Sequence, residues 1–301
     1  MKRVMNRSCL IGLDLGTSAI KGVLTDHRGS VLAEAGVDTR FVHPHDGWVE
    51  VEPDQHYRNV CRVIRELVGA ARGEVAALAM AAASGNTLLT DGAGAPLTAI
   101  INWMDRRAEQ RPPAALAGLT VTEVTRVTGW PCVSTFPLAQ LAWLQENKPD
   151  VYRTAGHYGM DTDWLLYRLT GKWSMDHSTA TTFHLQEQIS GTYYEPFLRR
   201  LNIPPEKLSA LRPSGVAVGS LTAQARCDTG LSGRTLVVTG CFDHPAAARS
   251  AGVLAPGQLM LSCGTSWVGF TPFMDRQGIL DAQMLCDPYL SAGHGPWGGI
   301  F

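Results

Sequence analysis

Two short stretches near opposite ends of the chain carry one pattern. Leu13-Asp14-Leu15-Gly16-Thr17-Ser18 closes an apolar run that begins at Cys9, and Leu261-Ser262-Cys263-Gly264-Thr265-Ser266 closes a second one. Each is followed by another apolar, strand-like segment, so each reads as strand, tight turn, strand. The same context used twice predicts two related lobes that present equivalent turns to one another.

A glycine-containing turn exposes consecutive backbone N–H groups. With Thr and Ser hydroxyls beside them, these make a small cradle for phosphate oxygens. Gly16, Thr17 and Ser18 on one lobe and Gly264, Thr265 and Ser266 on the other would grip a polyphosphate from both sides. Asp14 cannot touch phosphate directly, because like charges repel, but it can hold Mg²⁺ or its waters, and the metal then reaches the phosphates. Lys21 returns cationic charge to the same place if its strand folds back. The plainer alternative makes Gly16-Thr17 a mere turn and Asp14 a strand end. GxxxxGK[ST] does not occur, so that common phosphate loop is absent from the sequence.

Periodicity supplies the frame between the two turns. Residues 9–15, 19–26 and 30–37 read as an antiparallel meander. Pro53 opens a helix reaching about Val68, with Asp54 near its positive end. Residues 75–82 form an apolar strand, and helical patterns follow near 104–116, 137–147, 161–169 and 195–211. The run 236–243 reads as one buried strand, a small-residue helix follows it, and strand–turn–strand closes the chain. Strands alternating with helices argue an α/β class. Net charge is −1 over 301 residues, which leaves no global field for nucleic acid. Seven scattered cysteines without a CxxC, and no apolar stretch of about 20 residues, predict reduced thiols in a soluble cytoplasmic protein that does not engage membranes.

Asp243 ends the run LVVTGCF, at the carboxyl end of a strand, where α/β proteins place their sites. It is a candidate general base that accepts a hydroxyl proton during phosphoryl transfer. The alternative is a helix cap before His244-Pro245.

Taken together, these segments resemble the FGGY family of carbohydrate kinases, within the actin-like ATPase superfamily. Asp14, Gly16, Thr17 and Lys21 resemble the family's first phosphate hairpin, and LSCGTSWVGF resembles its second. GWVEVEPDQHY (47–57) is similar to a Gly-Trp-x-Glu…Pro segment, and INWMDRRA (101–108) to Trp-x-Asp-x-Arg, which gives Trp103, Asp105 and Arg107. LAWLQENKPDVY, DWLLYRLTGKW, Asp176-His177-Ser178-Thr179-Ala180 and GCFDHPAAARSAGV follow in family order, the last placing the catalytic aspartate at Asp243.

The resemblance implies a ribonuclease H-like (actin-like ATPase) fold and ATP-dependent phosphorylation of a sugar, ketose or polyol. Asp243 would be the base, Asp14 the Mg²⁺ ligand, and Trp103 a residue that stacks on a sugar face, unless it is a core or domain-interface residue. Asp105 would accept sugar hydroxyls, or else pair with Arg106 or Arg107. Where xylulose kinases carry Met-His-Gly, this chain has Ala83-Ser84-Gly85-Asn86, so Asn86 is the candidate sugar contact. The family's second lobe is longer and carries a glycine-rich adenine segment. The expected division is therefore an N-terminal domain over 1–235 and an incomplete C-terminal domain over 236–301, with apolar surface through which two copies can form a homodimer. A non-catalytic fragment that binds sugar or a partner is the competing reading. An Hsp70-type chaperone shares the Asp-Leu-Gly-Thr hairpin but has no place for Trp-x-Asp-x-Arg.

Overall fold

The structure, a computed structural model, describes residues 8–83, 85–263, 267–290 and 295–301. Strict alternation builds its first element. In β1 (Cys9–Leu15), Cys9, Ile11, Leu13 and Leu15 are buried while Leu10 and Asp14 face out. β1 pairs antiparallel with β2 (Ala19–Asp26), and β2 pairs antiparallel with β3 (Val31–Asp38), as the meander predicted.

Helix α1 (Pro53–Ala70) then crosses the sheet. Glu52 caps it by accepting from the backbone N–H of Asp54 and Gln55, and Pro53 opens its first turn. Its inner face buries Val60, Val63, Ile64 and Leu67 against the sheet core. The crossover returns the chain as β4 (Val75–Ala82), parallel to β1. Helix α2 (Asp161–Thr170) and helix α3 (His177–Phe183) follow. Later strands complete the sheet: β5 (Ala217–Ser220), β6 (Leu236–Val238) and β7 (Cys241–Phe242). Its order is β5-β6-β4-β1-β2-β3, with β7 also on β4.

Four expectations change here. The run 236–243 is not one strand, because the chain breaks between β6 and β7. At Gly240 the backbone passes so close to β4 that an added Cβ would lie 1.6 Å from the Met80 carbonyl oxygen. The helical pattern of 195–211 stops at Leu201, where Asn202 turns left-handed at φ 51°, and 210–212 is a strand. The pattern of 104–116 yields only a helical turn at Arg107–Gln110 and a 3₁₀ turn at Ala114–Leu116, with Pro112 and Pro113 between them. A division after residue 235 also falls inside the first sheet, since β6 and β7 both pair with β4.

After helix α4 (Asp243–Ser250) comes a second, antiparallel sheet. Its strands are β8 (Met260–Cys263), β9 (Trp267–Phe273), β10 (Leu285–Asp287) and β11 (Trp297–Ile300), in the order β8-β9-β11-β10. β1 pairs antiparallel with β2, and β8 pairs antiparallel with β9. A shared apolar cluster joins the lobes: Trp130 and Phe242 pack with Phe270, Tyr289 and Ile300. Leu259, Leu261 and Trp267 remain exposed. None of the seven cysteines forms a disulfide, and no described helix is long and apolar enough to cross a membrane.

Candidate active site

The sheet register brings three chain segments out at one point. Leu15 and Phe242 both lie opposite Ala82, on either side of β4. Gly16, Ala83 and Asp243 therefore leave the sheet together, at the carboxyl ends of three parallel strands. Asp14 sits one residue inside this edge, opposite Lys21 on β2. The fold-back that would bring Lys21 to the turn is thus built into the hairpin.

Asp14 is exposed, yet the protein around it partly desolvates its carboxyl and raises its pKa, with Lys21 opposing that shift. Asp243 opens α4, where its charge meets the positive end of the helix. Burial raises its pKa, the neighbouring His244 opposes this, and the charge of Asp14 raises it further. The two carboxylates therefore sense one another across the strand ends. Asp243 Oδ1 accepts from the His244 backbone N–H at 2.6 Å, and the His244 ring nitrogen Nε2 lies 3.9 Å away. A base with a raised pKa is matched to proton transfer near neutral pH. Among the described residues no cluster of three or more His, Cys, Asp or Glu side chains has metal-binding geometry. Asp14 and Asp243 are two partly exposed carboxylates, a donor set that suits Mg²⁺, which rarely takes an all-protein cage.

The Gly16-Thr17-Ser18 turn is held from several sides. Ala83 N–H donates to the Leu15 carbonyl at 3.1 Å, and Thr39 N–H donates to the Ser18 carbonyl at 3.0 Å. Trp103 Nε1–H donates to Thr17 Oγ1 at 3.0 Å. The structure thus joins a residue expected at the phosphates to one expected at the sugar. Trp103 is 37% exposed, so its ring is not a core residue. Next to it, Gly85 has φ +101°, and an added Cβ would lie 2.3 Å from the Phe136 ring. Only glycine lets Phe136 and Trp103 close together there. Gly264, Thr265 and Ser266 lie outside the described residues, as does Ser84.

Two expected substrate contacts turn inward. Asp105 is fully buried. Its Oδ1 accepts from Arg107 N and Nε, and its Oδ2 from Val49 N and Arg107 Nη2. Arg107 also pairs with Glu50 at 2.6 Å and lies 3.8 Å over the Trp48 ring. Asp105 is a structural partner of Arg107 and has no lone pair left for a sugar hydroxyl. Asn86 is 6% exposed. Its Oδ1 accepts from Asn102 Nδ2 and from the Trp103 backbone N–H, and its Nδ2 donates to Asp161. Its amide braces Trp103 and does not open onto the cleft.

Other residues near the site were not singled out by sequence. Ser178 Oγ accepts from the Phe242 backbone N–H, one residue before Asp243, and donates to Asp287 Oδ2 of the second sheet at 2.7 Å. Its place in Asp176-x-Ser178 was the available signal. Thr39 had none, because only the meander's third strand brings it beside Ser18.

The model of the FGGY family of carbohydrate kinases, N-terminal domain, matches residues 9–249. The autoinducer-2 kinase of Yersinia enterocolitica is 28% identical over 267 residues, 86% of this chain and 50% of that protein. The xylulose kinase of Escherichia coli K12 is 28% identical over 261 residues, 86% of this chain and 53% of that protein. The chain spans about half the length of the curated relatives it matches. Among solved structures, a xylulose kinase from Rhodospirillum rubrum superposes with TM-score 0.87 at 26% identity, over 97% of this chain and 60% of the other. A gluconate kinase from Lactobacillus acidophilus gives TM-score 0.87 at 22% identity, over 98% and 59%, a likeness of fold.

Proposed function

Because the chain belongs to the FGGY family of carbohydrate kinases, we propose that it forms the base-bearing part of an ATP-dependent kinase for a sugar, ketose or polyol hydroxyl. The observation that carries this reading is the emergence of Gly16, Ala83 and Asp243 at one sheet edge, with Asp14 close enough to raise the Asp243 carboxyl.

The acceptor packs against the exposed Trp103 ring, whose flat apolar face suits the C–H face of a sugar. Asp243 takes the proton of the attacking hydroxyl. Its raised pKa and its seat at the start of α4 hold it ready to do so, and His244 keeps its ionised form accessible. The amides and hydroxyls of Gly16-Thr17-Ser18 hold phosphate oxygens, and Lys21 adds a positive charge from the facing strand. In this reading Gly264, Thr265 and Ser266 supply the opposite half of the grip. Asp14 would hold Mg²⁺ directly or through water, and the ion when bound neutralises charge on the phosphate chain. Enclosure of the cleft between the two lobes excludes water as a competing acceptor. Relatives are named for xylulose and autoinducer-2, so small hydroxylated carbon chains are the substrates to try first.

The test mixes the protein with Mg-ATP and a panel containing xylulose, gluconate and glycerol, and follows ADP. Release that depends on one acceptor, and falls by about 10²–10⁴ in Asp243→Ala, is the expected result. Acceptor-dependent thermal stabilisation with no ADP would point to binding alone and overturn the kinase reading for this chain.

A further inference from the structure

We propose that Trp103 couples the two halves of the site: its indole N–H sets the Thr17 hydroxyl for a phosphate oxygen, and Asn86 holds the indole in the position that does this. The inference rests on the reading above, in which Thr17 meets phosphate and the Trp103 ring meets the acceptor.

A hydroxyl has one proton and two acceptor lone pairs. The indole Nε1–H donates to Thr17 Oγ1 at 3.0 Å, and a Trp nitrogen can only donate. The direction of this bond is therefore fixed, and the Thr17 proton must point away from the ring. A cradle whose proton is already aimed outward loses less entropy when an anion arrives.

The indole is itself held by a chain of bonds. The Trp103 backbone N–H donates to Asn86 Oδ1 at 3.0 Å, and Asn102 Nδ2 donates to the same oxygen at 3.1 Å. On the other side, Asn86 Nδ2 donates to Asp161 Oδ2 at 2.9 Å. The Asn86 amide has one sensible orientation, since a flip would set NH₂ against two donors and oxygen against a carboxylate. Asp161 opens α2 and is buried, so the anchor of the chain lies in the lobe's frame. Behind Gly16 and Thr17 lies a cavity of about 20 Å³, lined also by Thr39, His56, Asn86 and Asp161. The buried His56 Nε2 and Thr39 Oγ1 beside it have no hydrogen-bond partner. The space suits one water that would tie them to Asp161, whose Oδ2 is 3.7 Å from His56 Nε2. The turn is thus backed by a polar frame, and Trp103 is the arm of that frame that reaches the cleft. By linkage, whatever orders the indole favours phosphate at Thr17, and phosphate at Thr17 favours the ordered indole to the same degree.

The test reads the Trp103 indole N–H by NMR in the ¹⁵N-labelled chain, with Trp103→Phe assigning its resonance. Thr17→Val keeps the shape of the exposed turn and removes the acceptor. We expect it to shift the indole resonance upfield and speed its exchange with solvent, and Asn86→Leu to do the same from a distance. An indole resonance unmoved in Thr17→Val overturns the proposal, even if Asn86→Leu fails to fold. A resonance that moves in Thr17→Val but not in folded Asn86→Leu overturns the role of Asn86. Magnesium tripolyphosphate should then shift the indole in the wild type and not in Thr17→Val. A titration that moves the Gly16 amide but leaves the indole in place overturns the coupling and spares the phosphate reading. One that moves neither overturns the phosphate reading and the coupling with it.

Discussion

A carboxylate has room for about four hydrogen bonds, and Asp105 accepts one from Val49 and the rest from Arg107. Removing it strands the Arg107 guanidinium, which is almost fully buried against Trp48 and Glu50. Asp105→Ala should cost about 3–5 kcal/mol of stability, the usual penalty for orphaning one partner of a buried pair. A urea melt checks this, and a midpoint within experimental error of wild type would show that Arg107 finds other partners. Asp14 and Asp243 behave in the opposite way, since each stays at least partly exposed. The sequence shows three acids beside suggestive neighbours and cannot say which are spent. That depends on the loop before Glu50, which lays the Val49 N–H on Asp105 from 56 positions away.

Among the elements, the join between β6 and β7 decides where Asp243 stands. Its backbone runs against the Met80 carbonyl, so no side chain fits at Gly240. Gly240→Val should push β7 off β4, destabilise the chain by at least about 1–3 kcal/mol, and reduce any phosphoryl transfer because the base moves with the strand. Thermal melts alongside the ADP assay check this, and an unchanged melting temperature would refute the close approach. The meander, α1 and β4 were legible because alternation and the Glu52-Pro53 start are local signals. The helix expected over 195–211 failed because a periodic pattern does not report that Asn202 turns left-handed before Pro204 and Pro205. The break at Gly240 was invisible for a related reason: its cause is a carbonyl on another strand.

At the scale of the whole molecule, the lobes meet through buried polar groups as well as apolar ones. Ser178 Oγ joins the backbone before Asp243 to Asp287 of β10, and Trp130 Nε1 and Gln188 Nε2 both donate to the Cys286 carbonyl. Burial pushes the Asp287 carboxyl up to about 7, while the Ser178 hydroxyl and Arg249 oppose this and Asp176 adds to it. In the unfolded chain the same carboxyl ionises near pH 4. Between about pH 4 and 7 the folded state holds a proton that the unfolded state has lost, so this group's contribution to stability falls as pH rises. Asp287→Asn keeps an acceptor for Ser178 and removes the titration. Its melting temperature should therefore fall less than that of the wild type between about pH 5 and pH 8. Equal pH dependence in both proteins would refute the assignment.

The paired Gly-Thr-Ser turns, the strands around them and the family motifs are local patterns, and the chain's letters were enough to establish the α/β class, the meander and the lineage. Asp14 facing Lys21 followed as well, because a tight turn between alternating strands fixes register over a few residues. Which polar side chains stay open to the cleft was decided only by the tertiary fold. Asn86 and Asp105 lie in motifs as suggestive as the one that carries Trp103, yet distant partners, Asp161 and Val49, consume them. The physical reason is that hydrogen-bonding capacity is finite, and the partners that fill it are brought together by packing and not by their order along the chain.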